Sequence, residues 1–178
     1  LKEVASLLRR SECVDLPLYA TVAEQLYQLD PTADAAYSLA IMFLKRQEFD
    51  KTEGYLKEAI AKSEDNEAKA EYYLKMAQLQ LAKKQYQATK TNALEVLKLN
   101  PNNGTALMLI GKAYANSASN YGEDDFDHAS VFWAAVDKFQ KAKQVDPSIA
   151  DEANTLIGAY RAHLPSTEEI FMHPDLEK

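Results

Sequence analysis

Three pairs, Asp30-Pro31, Asn100-Pro101 and Asp146-Pro147, punctuate this chain and constrain its fold more than any other feature. A residue that precedes proline is pushed out of the helical region, so each pair ends a helix. The pairs lie 70 and 46 residues apart, and a unit of about 34 residues with insertions accommodates both gaps. The stretch Ala70 to Pro101 lays out the plan of one unit. Large apolar residues at Tyr73, Met76 and Leu79, then at Tyr86, Leu94 and Leu97, fall on one face of each of two short helices. Small residues, Ala77 on the first helix and Thr89 and Ala93 on the second, stand where two helices must touch.

The same columns recur. Leu39-Ala40, Met76-Ala77 and Ile110-Gly111 form a large–small pair in each first helix, followed by Phe43, Gln80 and Tyr114. In the second helices Phe49, Tyr86 and Phe132 align, then Thr52, Thr89 and Ala135, then Leu56, Ala93 and Phe139, then Ala59, Val96 and Ala142. At these residues the chain resembles the tetratricopeptide repeat family, over about residues 17 to 164. That resemblance implies an all-α solenoid of helix-turn-helix units, a right-handed superhelix of about four helix pairs. The departures are Gln80 in place of an aromatic residue, Thr52 and Thr89 in place of alanine, and a first unit that ends in Ser63-Glu64-Asp65-Asn66 without proline.

The expected organisation is a repeat domain over residues 1–164 with units near 1–31, 33–66, 70–103 and 104–149, and a last helix at 149–164. Residues 116–127 read as a loop inserted in the third full unit, with Asp127 capping a helix that starts near His128. At the N-terminal end Val4 to Arg10 reads as a helix, and Asp15 and Pro17 open a second one carried by Leu18 to Leu29. The tail, 165–178, is expected to fold back over the last helix. Ser166 and Glu169 have capping-box spacing, and Ile170, Phe171 and Met172 would supply the cover. A chain that begins at Leu1 rather than methionine is expected to follow removed sequence, such as an upstream helix or repeat.

Composition narrows the function. The net charge is −7, with 14 basic against 15 acidic residues in positions 1–100 and 6 against 12 beyond. Such a chain lacks the lysine and arginine stripe that phosphate backbones require, so nucleic acid is an unexpected ligand. The longest apolar neighbourhood, Ala106 to Gly111, falls far short of the roughly 20 residues that span a bilayer. Cys13 is alone, so no intrachain disulfide forms. Five glycines form no phosphate loop, dinucleotide fingerprint or nucleophile elbow, and enzymatic activity and a cofactor are not expected. His128, His163 and His173 show no zinc-helix spacing and read as surface residues. Glu123, Asp124, Asp125 and Asp127 could offer oxygen ligands to calcium, but they depart from the calcium-loop spacing and read better as a solvated, helix-capping loop.

Ten tyrosines stand mostly at packing positions, with Tyr37 the one expected to be exposed. In the repeat family the first helix of each unit lines a concave groove, which by position implies Tyr37, Ile41, Lys45, Leu74, Gln78, Met108, Lys112, Asn154 and Arg161 as its lining. Tyr37, Ile41, Leu74 and Met108 would form an apolar strip, with Lys112 and Arg161 drawing an acidic group of the ligand. The subfamily that clamps heat-shock chaperone tails uses Lys, Asn, Lys and Arg where this chain has Tyr37, Ile41, Thr105 and Leu109, so that ligand is disfavoured. The stretch Trp133 to Phe139 and the tail after Pro165 also resemble repeat proteins exported by gut-dwelling Gram-negative bacteria, which implies a periplasmic or envelope location and a longer precursor. The expectation is a non-catalytic module that binds a protein or peptide. The alternative is an accessory docking or dimerisation domain of a larger enzyme or sensor.

Overall fold

A computed structural model describes residues 17–122 and 125–172. The described residues are helical and contain no strand. The helices are α1 (Pro17–Leu29), α2 (Ala33–Lys45), α3 (Phe49–Lys62), α4 (Asn66–Ala82), α5 (Tyr86–Leu99), α6 (Gly104–Ser117), α7 (Asp125–Val145), α8 (Ala150–Arg161) and α9 (Thr167–Phe171). Short 3-10 turns follow α6 at Ala118–Asn120 and precede α8 at Pro147–Ile149. Contacts divide the chain into two compact units, Leu1–Leu79 and Gln80–Lys178.

The three Asx-Pro pairs do stop helices: α1, α5 and α7 end at Leu29, Leu99 and Val145. Side chains in the connections start the helices that follow. Thr32 accepts from the Ala35 N–H at 3.2 Å to cap α2, Asp65 accepts from Glu67 and Ala68 at 2.7 and 3.2 Å to cap α4, and Asn103 accepts from Ala106 at 2.8 Å to cap α6. Val4 to Arg10 and Asp15 lie outside the described residues.

In the first unit α2 packs on α3 and on α1. Its core joins Ala36, Leu39, Phe43, Ala59 and Tyr72, with Ala40, Leu56, Met76 and Leu79 adjoining. The Tyr55 ring stacks on Phe43 at 5.6 Å and meets Tyr27 edge-on at the same distance.

In the second unit α6 packs against both α5 and α7, and α7 against α8. Contact on two sides explains why α6 is buried around most of its circumference, Leu107, Met108, Leu109 and Ile110 in succession. Gly104 permits the start of α6 to meet the end of α7: a side chain there would stand 2.6 Å from Asp146 Cβ and 3.3 Å from the Ala142 carbonyl. At Gly111 the neighbour is a side chain, the Phe139 ring, rather than the second helix backbone that the large–small pattern suggests.

The inserted segment is mostly not a loop. Asn116 and Ser117 extend α6, residues 118–120 form a 3-10 turn, and α7 already begins at Asp125. Asp127 therefore sits within the first turn of α7 and not before its start. Its backbone carbonyl accepts from Ser130 Oγ at 2.7 Å.

The tail also departs from expectation. The capping box forms, with Ser166 Oγ accepting from the Glu169 N–H at 3.2 Å and Glu169 Oε2 accepting from the Ser166 N–H at 2.7 Å. Phe171 and Met172 remain 86% and 73% exposed and do not supply the expected cover, while Ile170 is 38% exposed. The capping box spans only the first turn of a five-residue helix. Leu164 joins the second unit's core and Pro165 is buried.

Candidate functional site

The first unit carries an open cleft of about 290 Å³ between α1 and α2. Ala23, Leu26 and Tyr27 of α1 and Ala35, Leu39 and Met42 of α2 form its apolar walls. Tyr19, Asp30, Thr32 and Ser38 add polar groups along its rim. Leu39 and Tyr27 are buried, whereas Asp30, Thr32 and Ser38 are exposed, so the cleft has a fixed floor and a wet edge. Its other end of chemistry, a second hollow of about 360 Å³ bordered by Thr32, Asp34, Ser63 and Asp65, is built largely from helix-capping groups.

Two crossed sets of tyrosine–carboxylate bonds hold the helices around this cleft. Tyr27 on α1 donates to Glu58 on α3, and Tyr55 on α3 donates to Glu24 on α1 at 3.2 Å. Both bonds span 31 residues, so α1 and α3 run in the same direction. Tyr37 on α2 donates to Glu71 on α4 at 2.6 Å, and Tyr72 on α4 donates to Asp34 on α2 at 2.9 Å. Within the second set the Tyr37 and Tyr72 rings lie 4.5 Å apart.

Burial, then the charge and hydrogen bond of Glu24, push the Tyr55 hydroxyl up to about 12. Burial and the bond to Asp34 take Tyr72 to about 12 as well. Tyr27 and Tyr37 are raised by burial first, then by their bonds to Glu58 and Glu71. These hydroxyls are donors held in place, not bases, and they brace the frame rather than supply chemistry. Lys51 adds a cation over the Phe43 ring at 4.4 Å and lies 3.6 Å from Glu24.

The residues expected to line a groove fare differently. In the first unit Tyr37 is half-buried and engaged with Tyr72 and Glu71, not exposed as expected; Ile41, Leu74 and Gln78 are half-buried and Lys45 is exposed. In the second unit Met108 is 3% exposed and belongs to the core, because α6 is covered on two sides, so it cannot serve as a groove anchor. Lys112 donates to Glu152 at 2.7 Å, so its charge is already answered rather than held ready for an acidic ligand. Asn154 accepts from Lys143 at 2.8 Å, and Arg161 is exposed at the end of α8.

Glu123 and Asp124 lie outside the described residues. Among the described residues no group of three or more His, Cys, Asp or Glu side chains stands together in a way that could hold a metal ion. No helix among them is long and apolar enough to cross a membrane. His128 is half-buried; His163 is exposed and stacks on Phe132 at 5.1 Å; His173 falls outside the described residues.

The cleft and its braces were missed in sequence because both depend on which helix faces which. A signal was present. Glu24-x-x-Tyr27, Asp34-x-x-Tyr37 and Tyr55-x-x-Glu58 share one spacing, which puts an acid and a tyrosine on the same face of three helices. No protein-family model matches this chain, and no curated protein sequence matches it.

Proposed function

We propose that this chain is a non-catalytic helical-repeat module, of tetratricopeptide type, that binds a protein or peptide segment. The observation that carries the reading is the cleft between α1 and α2, an apolar floor with a polar rim, open to solvent and framed by the tyrosine–carboxylate bonds. A site of that kind fixes one or two bulky side chains of a ligand by burial and orients its backbone by rim contacts. Repeat-like recurrence supports the architecture. The turns around Gln47 and Lys84 share one backbone conformation, and Thr52 and Thr89 after them share one hydrogen-bonding pattern. The experiment is a peptide-library screen with the full chain and with Ser38→Trp, which plugs the cleft from its exposed rim. Loss of the selected peptides with Ser38→Trp and retention with Arg161→Ala is the expected result. The reverse pattern moves the site to the α8 face.

A second reading, an accessory docking or dimerisation domain of a larger enzyme or sensor, draws on the exposed Phe171 and Met172. Sedimentation of the chain and of Phe171→Ser tests it. A dimer that dissociates in the variant favours this reading, and a monomer in both removes it.

A further inference from the structure

The described lining of the cleft between α1 and α2 carries charge of one sign. Among the described residues Asp30 is the only charged side chain on its lining, and it stands just beyond the last turn of α1. The last turn of a helix exposes carbonyls that carry partial negative charge. Pro31 adds to this, because it has no N–H to offer the Tyr27 carbonyl four residues before it. Five of the described helices, α2, α3, α5, α7 and α8, answer that charge with Lys45, Lys62, Lys98, Lys143 and Arg161 in their last turns, whereas α4, α6 and α9, like α1, do not. The last turn of α1 carries no basic residue, and an acid follows it. At the other side of the same corner Thr32 is occupied in capping α2, and Asp34 accepts from Tyr72.

From this charge complementarity we infer that the cleft takes a peptide segment in which bulky apolar side chains are followed directly by lysine or arginine, the apolar group seated on Leu26, Leu39 and Met42 and the cation at Asp30 and the α1 carbonyl end. The inference rests on the peptide-binding reading above and specifies its partner. It is opposite in sign to the acidic ligand that Lys112 and Arg161 suggest by position in the sequence. The volume, about 290 Å³, admits one or two side chains and not a folded domain.

The test uses the full chain and three labelled peptides of equal length: one with two leucines followed by two arginines, a copy with glutamates for the arginines, and a copy with serines for the leucines. Fluorescence anisotropy reads each affinity. The arginine peptide is expected to bind about three- to fivefold more tightly than the glutamate peptide at low ionic strength, a gain that shrinks with added salt. The serine copy should lose most of its binding, as should all peptides with Ser38→Trp. Asp30→Asn should abolish most of the arginine preference, whereas Asp151→Asn, which removes the same formal charge from α8, should leave it in place. That comparison separates a local site from the overall charge of −7. Equal binding of arginine and glutamate peptides, or a preference untouched by Asp30→Asn, overturns this inference while leaving peptide binding intact. Failure of every peptide here and in the library screen defeats both.

Discussion

The Phe139 ring occupies the space that a side chain on Gly111 would need: a Cβ built there stands 2.8 and 2.9 Å from its Cδ1 and Cζ atoms. The ring is fully buried and continues a stack through Tyr160 at 6.0 Å and Phe132 at 5.5 Å to the exposed His163. In the first unit the corresponding residues are Ala40 and Leu56, both buried in one cluster. The larger residue on the second helix is matched by a smaller one on the first, so packing density is kept while the individual shapes change.

Gly111→Ala is therefore expected to destabilise. Alanine gains about 1 kcal/mol over glycine in a helix interior, but overpacking a closed core costs about 1–3 kcal/mol, and the stack leaves Phe139 little room to yield. Gly158 in α8 provides the internal comparison, since a Cβ there meets nothing within 4 Å. Gly158→Ala should raise the denaturation midpoint and Gly111→Ala should lower it. Shifts of the same sign would refute the packing argument.

Alkaline pH should loosen the first unit. The Tyr72 hydroxyl, raised from 10.0 to about 12 by burial and its bond to Asp34, keeps its proton longer in the folded than in the unfolded chain. Stabilisation of this kind is complete below pH 10 and is lost as pH rises through about 12. Tyr72→Phe removes a hydrogen bond to a carboxylate, worth about 1.5–3 kcal/mol at neutral pH, and should flatten the fall in stability between those limits. Denaturant melts of parent and variant across that range check both effects. Parallel curves would show that ionisation of Tyr72 does not drive the alkaline loss, and coincident curves that the hydroxyl contributes nothing.

Much of the fold was legible in the sequence because helix ends are local. Pro31, Pro101 and Pro147 mark their stops without reference to the rest of the chain, and Leu39-Ala40, Met76-Ala77 and Ile110-Gly111 are all buried as their pairing implies. The candidate site was less legible because it is a property of register. Nothing within α2 says whether Tyr37 meets water or the ring of Tyr72, and nothing in the pattern of first helices says that α6 is covered on both sides and takes Met108 into the core. The segment 116–127 misled through composition. Its serines, asparagines and acids favour turns in isolation, yet α6 and α7 extend into it from both sides.

Gln80, which departs from the aromatic column, should depend on Asn92. It is 7% exposed, and its Oε1 accepts from Asn92 Nδ2 at 2.8 Å, the same amide also reaching the Ala88 carbonyl at 3.0 Å. Asn92→Leu leaves a buried acceptor without its donor, which costs about 1–3 kcal/mol. Replacing both residues by leucine should recover part of that loss, giving a clear interaction energy in a double-mutant cycle. Additive single changes would mean that the pair is not coupled.

The turns between α2 and α3 and between α4 and α5 repeat one device 37 residues apart, and the last prediction concerns the strain it holds. Gln47 and Lys84 adopt φ of 60° and 58°, a left-handed conformation that costs a non-glycine residue about 1–2 kcal/mol. Their N–H groups donate to Leu44 and Leu81, each at 3.0 Å, and the next residues, Glu48 and Gln85, donate to Phe43 and Gln80 at 3.0 and 2.8 Å. Four residues further on, Thr52 and Thr89 return both N–H and hydroxyl to the Glu48 and Gln85 carbonyls. Glycine accepts the left-handed conformation without a Cβ clash. Gln47→Gly and Lys84→Gly should each raise stability by about 0.5–1 kcal/mol, whereas Gln47→Val, β-branched at the same φ, should lower it. Matched gains at the two positions, read from denaturation midpoints, would establish that the turns are equivalent. A loss at both glycine variants would show that the left-handed residues are held without strain.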